Sequence, residues 1–468
     1  MEQNSLSKNT ILLSVGALLT NVLQFLMVPV FSRWLSTKEY GTFDLCVTYV
    51  TLALPFINLA TGEALFRFAL ESGQEAQKKY ISSGMVLVAV NFSVVLIVLA
   101  ALAVITGKMI LLPFCLLLFG QLINSYSQSF LRGIKKLNIY ACGSVVTALF
   151  TALFVFLFVF RMDMGVHGII LGYALGYVSG DVVLLVASKY WRYFSVRSVS
   201  LNTMKQMIKY SYPLIPNNIS WWVLNASDRI IISSFLSLSS NGIFAIAHKI
   251  PGVCSNVFGM FNISWQQSAT EALKSNNIRS YYNGVYNSML QILLTLCAGI
   301  LSLDFLVYQY VFDIKYAEAA LYAPILIASV VFNSISQFYG GIMISLKRPK
   351  DNGRTTILSA IINIVVHIVL IRFVGLYAAA VSTLAANFVL SIIRRLILRR
   401  EVNCKMNGTT FIACIVFVYM FILAYMQINV WIRIVNVLIA AVGFCVINKA
   451  MLRQMVKKCL KCGNARTA

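Results

Sequence analysis

The sequence predicts an all-α integral membrane protein, and three observations carry that prediction. Hydrophobic residues make up 59% of the 468 residues and charged residues only 11%, under half the share of about 25% in soluble chains. Mean hydropathy is +0.80. The apolar residues fall in continuous runs long enough for helical spans, which need about 20 residues each. Because the runs do not alternate, a β-barrel is excluded. A net charge of +23, from 38 Lys and Arg against 15 Asp and Glu, would suit a nucleic-acid binder in a soluble chain. Here the basic residues must sit in loops between apolar spans.

Fourteen spans follow in order: 10–31, 43–61, 81–106, 109–131, 138–160, 166–187, 209–227, 241–265, 282–303, 319–345, 355–373, 375–393, 409–427 and 430–447. The first is too long for the apolar core of a signal peptide and is followed by Phe31-Ser32-Arg33-Trp34 instead of a small-residue cleavage site, so it is expected to be retained. In the last pair only Ile428-Asn429 separates two spans. With the N-terminus inside, alternation places 29 Lys and Arg in inner segments, eight outside and Lys249 within a span. That skew supports cytoplasmic termini. The basic tail is expected on anionic headgroups; it lacks the aromatic platform of a nucleic-acid binder.

An internal repeat organises the spans. Leu35-Ser36 followed by Gly41-Thr42-Phe43 returns as Leu236-Ser237 followed by Gly242-Ile243-Phe244. Arg161, Gly165 and the small residues 168–172 echo Arg372, Gly375 and residues 378–382, and Pro113 echoes Pro324. Six spans separate the copies, so the repeats are parallel, related by an axis along the membrane normal. The expected division is a six-helix lobe over 1–190, a second over 191–400, helices 13 and 14 over 401–448, and a tail over 449–468.

Polar residues at helical spacing mark the functional face, because in lipid such side chains must meet protein or water. The fourth span carries Gln121, Asn124, Ser125, Gln128 and Arg132, and its repeat partner carries Asn333, Ser336, Gln337 and Gly340. The first carries Ser14, Asn21 and Gln24; the seventh Asn218, Trp221, Trp222, Asn225 and Arg229. One reading is a hydrated cavity for sugars, with Trp stacking; the other is interhelical hydrogen bonding. Four stripes in repeat-related helices favour the cavity.

Ionisable residues within spans are Asp44, Asp181, Asp228, Arg229, His248, Lys249, Asp304 and His367. Lys249 lies seven residues past Gly242, about 10 Å into its helix, and Pro251-Gly252 predicts a kink beside it. It faces water or an anion, or snorkels outward. Asp228 and Arg229 are placed to pair with each other, and mid-span Asp181 needs a partner or a proton.

No hydrolytic or transfer chemistry is legible: GxSxG, P-loop and HExxH motifs are absent, and no cofactor is expected. Most of the ten cysteines (Cys46, Cys115, Cys142, Cys254, Cys297, Cys414, Cys445) lie in apolar spans as small hydrophobes. Cys459-Leu460-Lys461-Cys462 is a lone CxxC without the further pair a zinc site needs.

Several of these residues carry a family resemblance. Ser7-Lys8-Asn9-Thr10, then Arg33-Trp34-Leu35-Ser36-Thr37-Lys38-Glu39-Tyr40-Gly41, resemble the start of the polysaccharide transporter (oligosaccharide flippase, Wzx-type) family. Tyr210, Pro213, Pro216, Trp221, Trp222, Asn225, Asp228-Arg229, Gly242-Ile243-Phe244 and Lys249 resemble its middle. Phe43 and Phe244 replace the Tyr of most members, a conservative change. The likeness covers essentially the whole chain but is specific only to the superfamily of multidrug, oligosaccharidyl-lipid and polysaccharide exporters.

The resemblance implies two lobes in a V with alternating access. The implied cargo is an undecaprenyl-pyrophosphate-linked oligosaccharide (O-antigen, capsule or similar) moved across the bacterial inner membrane. Lys249 or Arg229 would meet its pyrophosphate; Asn225, Trp221, Asn218, Gln24, Asn21, Gln128, Asn124, Gln337 and Asn333 would meet its sugars. Asp181, Asp44 and Asp228 are the coupling or gating candidates, with a proton or sodium gradient as energy source. Pro29, Pro55, Pro251-Gly252 and Pro324 would be bending points. Membrane lipids, and a polysaccharide polymerase with chain-length proteins, would be its partners. The alternatives are a cation-coupled multidrug antiporter of the same superfamily and a membrane-embedded polymerase, which the short outer loops disfavour.

Overall fold

A computed structural model describes residues 2–107, 110–274, 277–426, 430–449 and 453. Lys108, Ile428-Asn429, the side chain of Ser14 and the tail cysteines lie outside the described residues. The described chain is helical, without strands. Its helices are α1 (Glu2–Trp34), α2 (Thr37–Ile57), α3 (Thr61–Glu71), α4 (Gln74–Thr106), α5 (Leu111–Gly133), α6 (Leu137–Val155), α7 (Gly165–Ser188), α8 (Leu201–Ser211) and α9 (Ile215–Phe235). There follow α10 (Leu238–Ala247), α11 (Lys249–Glu271), α12 (Ile278–Leu306), α13 (Ala319–Ser345), α14 (Pro349–Val374), α15 (Tyr377–Ile397), α16 (Gly408–Ala424) and α17 (Val430–Ile447). Among the described residues, the predicted apolar stretches lie mostly in helix, several of them interrupted. Among the described residues, eight helices are long and apolar enough to cross a membrane, or nine if the bent pair α10–α11 forms one span; α16 and α17 are shorter apolar helices. The lipid-facing character is direct: Ile97 is 69% exposed and Val104 85% on α4, a surface that water would not tolerate.

Several boundaries differ from the sequence expectation, two of them with a clear local cause. The predicted span 209–227 is instead α8, a tight turn over Tyr212–Leu214 and α9, which continues to Phe235. Pro213 and Pro216 explain the break, since each lacks a backbone donor and favours a first helical turn. The predicted span 43–61 begins six residues earlier, at a capping box. The Ser36 Oγ accepts from the Glu39 N–H at 3.2 Å, and Glu39 Oε2 accepts from the Ser36 N–H at 2.9 Å, which satisfies two orphan donors of the helix start.

By contacts the chain divides into residues 1–245 and 246–468. In the first unit α6 and α7 pack closest. A Cβ on Gly172, Gly176 or Gly180 would lie 2.5, 2.2 or 2.1 Å from Val155, Thr151 or Thr147, so this small-residue stripe lets the backbones meet. The two repeat motifs also meet there. A Cβ on Gly41 would fall 1.8 Å from the Leu238 carbonyl oxygen, and one on Gly242 would fall 2.0 Å from that of Thr37. The contact is reciprocal at the repeat offset, and no other residue fits either place.

The second unit buries Phe258, Trp265, Tyr282, Leu293, Ile342 and Met420 in one core. The kink expected at Pro251-Gly252 is a helix break one turn earlier, at His248. Pro251 has no N–H for the preceding turn, and the Tyr308 hydroxyl donates to the freed Ala247 carbonyl at 3.0 Å and to that of Ile246 at 3.4 Å. Arg394, grouped by sequence with the inner-face charges, is 2% exposed. It donates to the Ser336 and Asn352 carbonyls at 2.8 and 3.2 Å and to the Thr355 and Thr356 hydroxyls at 3.1 and 2.8 Å. Four acceptors make its burial tolerable.

Candidate functional site

The polar stripe of α5 opens into a cavity of about 420 Å³ in the first unit. Its wall is largely amide and hydroxyl: Gln121, Asn124 and Gln128 from α5, Asn218 from α9, Thr51 from α2, and Asn58 just beyond α2. Glu63 of α3, Arg132 at the end of α5 and Tyr177 of α7 complete it. A second cavity of about 160 Å³ lies against α1 and α6, lined by Thr20, Gln24, Ser144 and Thr151, and it shares Asn124, Gln128 and Tyr177 with the first. The 3.6-residue period of α5 produces this wall, because residues four apart stand one above the other.

A hydrogen-bonded chain links the wall to a buried carboxyl. Gln128 Nε2 donates to Asn124 Oδ1 at 2.8 Å, and Asn124 Nδ2 donates to Asp181 Oδ1 at 3.1 Å. Asp181, on α7, is 2% exposed, and its Oδ2 makes no hydrogen bond. An unmatched carboxyl oxygen in a buried site is costly, and a proton or cation bound there would remove that cost.

The ionisable residues of α2 and α9 meet each other. Arg229 Nε lies 3.2 Å from Asp44 Oδ2, and Arg229 Nη1 donates to the Asn225 carbonyl at 2.7 Å. Asn241 Nδ2 donates to the Gly41 carbonyl at 2.8 Å and reaches Asp44 Oδ2 at 3.5 Å. Asp228 is buried beside this bridge in sequence. Asn225 is exposed and donates to the Trp221 carbonyl at 2.7 Å. Trp221 is half-buried. Trp222 turns to α2, its indole N–H reaching the Thr48 carbonyl at 3.3 Å and the Thr51 hydroxyl at 3.2 Å. Asn21 is half-buried on α1.

In the second unit Gln337 Nε2 donates to Asn333 Oδ1 at 3.2 Å. This repeats the Gln128–Asn124 pair one helical turn apart on the partner helix. Lys249 is half-buried and opens α11, where the helix dipole adds positive potential that an anion would neutralise. Of the residues expected to act, Gln24, Asn124, Gln128 and Asn218 share the cavities of the first unit, and Asn124 joins Asp181. Glu63, Tyr177 and Asn58 line the cavity without having stood out in the sequence. A lone acid or phenol in a short connecting helix or a span carries no periodic signal.

Residues 6–265 match the family described as polysaccharide biosynthesis protein. The probable low-salt glycan biosynthesis flippase Agl15 of Haloferax volcanii is 24% identical over 197 residues, 40% of this chain and 41% of that protein. Among solved structures, lipid II flippase MurJ in its inward closed conformation matches with a TM-score of 0.72, covering 95% of this chain and 100% of MurJ at 15% identity. An inward-facing multidrug resistance transporter of the MATE family in the MOP superfamily matches with a TM-score of 0.65, covering 82% and 94% at 15% identity. The chain therefore has the fold shared by these transporters. With more than half of its length matched, it belongs to the polysaccharide biosynthesis protein family.

Proposed function

We propose that this protein is a flippase for undecaprenyl-pyrophosphate-linked oligosaccharide repeat units of a surface polysaccharide such as O-antigen or capsule. It works in the bacterial inner membrane by alternating access, with both termini cytoplasmic. The observation that carries this reading is the amide-lined cavity over α2, α5, α7 and α9, whose donors and acceptors suit sugar hydroxyls. The family and the glycan-flippase and lipid-flippase relatives support the same class. Lys249 at the start of α11 supplies a cationic contact for the diphosphate. Asp181 is the coupling group, taking up a proton or sodium ion at its open Oδ2 while the Asn124 amide holds Oδ1. A polymerase and chain-length proteins would receive the translocated units.

The test is deletion in the native host with complementation. Repeat units held on the inner leaflet, with loss of surface polysaccharide, are expected; unchanged polysaccharide with lost drug tolerance overturns the reading. That second outcome belongs to a cation-coupled multidrug antiporter, a reading favoured by the buried Asp181 together with the MATE-like fold. Replacing Lys249 with Ala is expected to lower surface polysaccharide at equal protein level, with partial rescue by Arg.

A further inference from the structure

The cavity of the first unit has two charged residues on its wall among the described residues, Arg132 and Glu63. Arg132 stands in the last turn of α5, where the helix dipole favours a cation. Its guanidinium is loosely held. One Nη2 contact reaches Glu63 Oε1 at 3.6 Å, and the Phe66 ring lies 4.7 Å below the guanidinium carbon. Its Nε is buried and has no acceptor. The side chain of Glu63 is 55% exposed, so this acid can swing away at little cost.

Arg229 is the opposite case. Its Nε pairs with Asp44 at 3.2 Å and its side chain is 14% exposed, while Nη1 is taken by the Asn225 carbonyl. A phosphate could reach Arg229 only by breaking the Asp44 pair. Arg132 presents a planar fork with donors to spare, the shape that a phosphate accepts in bidentate fashion.

Depth agrees with this choice. The diphosphate of a lipid-linked glycan rides at headgroup level, and Arg132 sits at the end of α5 that the charge distribution assigns to the inner face. Gln128, Asn124 and Gln121 follow at about 6, 12 and 16 Å further along the helix, at 1.5 Å per residue. A ligand anchored at Arg132 by its diphosphate would lay its sugars along that amide ladder.

We propose that Arg132 is the diphosphate contact of the first unit and that Glu63 is the internal anion which the cargo displaces from it. This rests on the flippase reading given above. The experiment uses the full-length protein in detergent, with farnesyl diphosphate as probe, farnesyl monophosphate and farnesol as comparisons, and inorganic pyrophosphate as competitor. The wild type is expected to prefer the diphosphate, and inorganic pyrophosphate to compete for the same site. R132Q should weaken diphosphate binding about ten- to a hundredfold, the loss of a charge-assisted contact. R132K should restore part of it, because an ammonium keeps the charge but not the fork. E63Q should tighten binding, a gain that a damaged protein would not show and that keeps the proposal testable if R132Q fails to fold. Wild-type affinity in R132Q, weaker binding in E63Q, or equal binding of farnesol overturns it. Flipping of lipid-linked repeat units by the wild type is scored separately. Its failure would remove the flippase reading while leaving the Arg132–diphosphate contact standing or falling on the binding data.

Discussion

Arg229 and Asp44 form an ion pair at 3.2 Å between α9 and α2, with side chains only 14% and 16% exposed. The pair sits next to the reciprocal contact of Gly41 and Gly242, and Asn241 ties the two together by bonding the Gly41 carbonyl. Pairing sets the cost of removing either charge, because the partner left behind would be a largely buried, uncompensated ion.

Replacing Asp44 with Asn or Arg229 with Gln is therefore expected to destabilise the protein by about 2–4 kcal/mol. The double variant should cost less than the sum of the two, since the orphaned charge disappears with its partner. Thermal unfolding in detergent measures all three. Strict additivity would show that the two charges do not interact.

Gly41→Ala and Gly242→Ala each place a methyl group within 2.0 Å of a backbone carbonyl on the other repeat motif. The backbones must move apart, at about 1–3 kcal/mol for overpacking. Each variant should lose stability, and surface polysaccharide should fall at matched protein level. Gly259→Ala, where no atom lies within 4 Å of the new Cβ, is expected to behave as the wild type.

Asp181→Asn removes the ionisable oxygen while keeping an acceptor for Asn124. In proteoliposomes the rate of lipid-linked sugar transfer should lose its dependence on the ion gradient. Asn124→Ala, which breaks the chain at 3.1 Å, should lower the rate with the dependence retained in part. If D181N responds to the gradient as the wild type does, Asp181 is not the coupling group.

Cys404 lies in the connection between α15 and α16 and is 1% exposed. Burial pushes its thiol up to about 11. The folded state thus favours the neutral thiol; the stability linked to it is present below the usual thiol range, at about 8.5, and is lost as pH rises towards 11. Maleimide labelling read by mass spectrometry should leave Cys404 unmodified at pH 8 in the native protein and label it in denaturant, because the thiolate is the nucleophile. Native labelling at pH 8 equal to that in denaturant would contradict its burial.

The amino-acid order alone determined the apolar spans, the repeat and the polar stripe of α5. Each of these follows from periodicity and transfer energy, which act on neighbours in the chain. Ser36 and Glu39 also announce the start of α2, since a capping box is local. Where helices broke was less legible: Pro213 and Pro251 mark the neighbourhoods, but the exact ends depend on partners such as the Tyr308 hydroxyl beyond Pro251.

Only the tertiary structure decided which charge meets which. Arg229 finds Asp44 across the fold although Asp228 adjoins it, Arg394 leaves the inner-face set for a buried nest of two carbonyls and two hydroxyls, and Asn124 selects Asp181. Arg132, with one loose contact to Glu63, is left facing the cavity. Sequence spacing states how far apart residues are along a helix. The compensation of a buried charge depends on distance through space, and packing alone sets that distance.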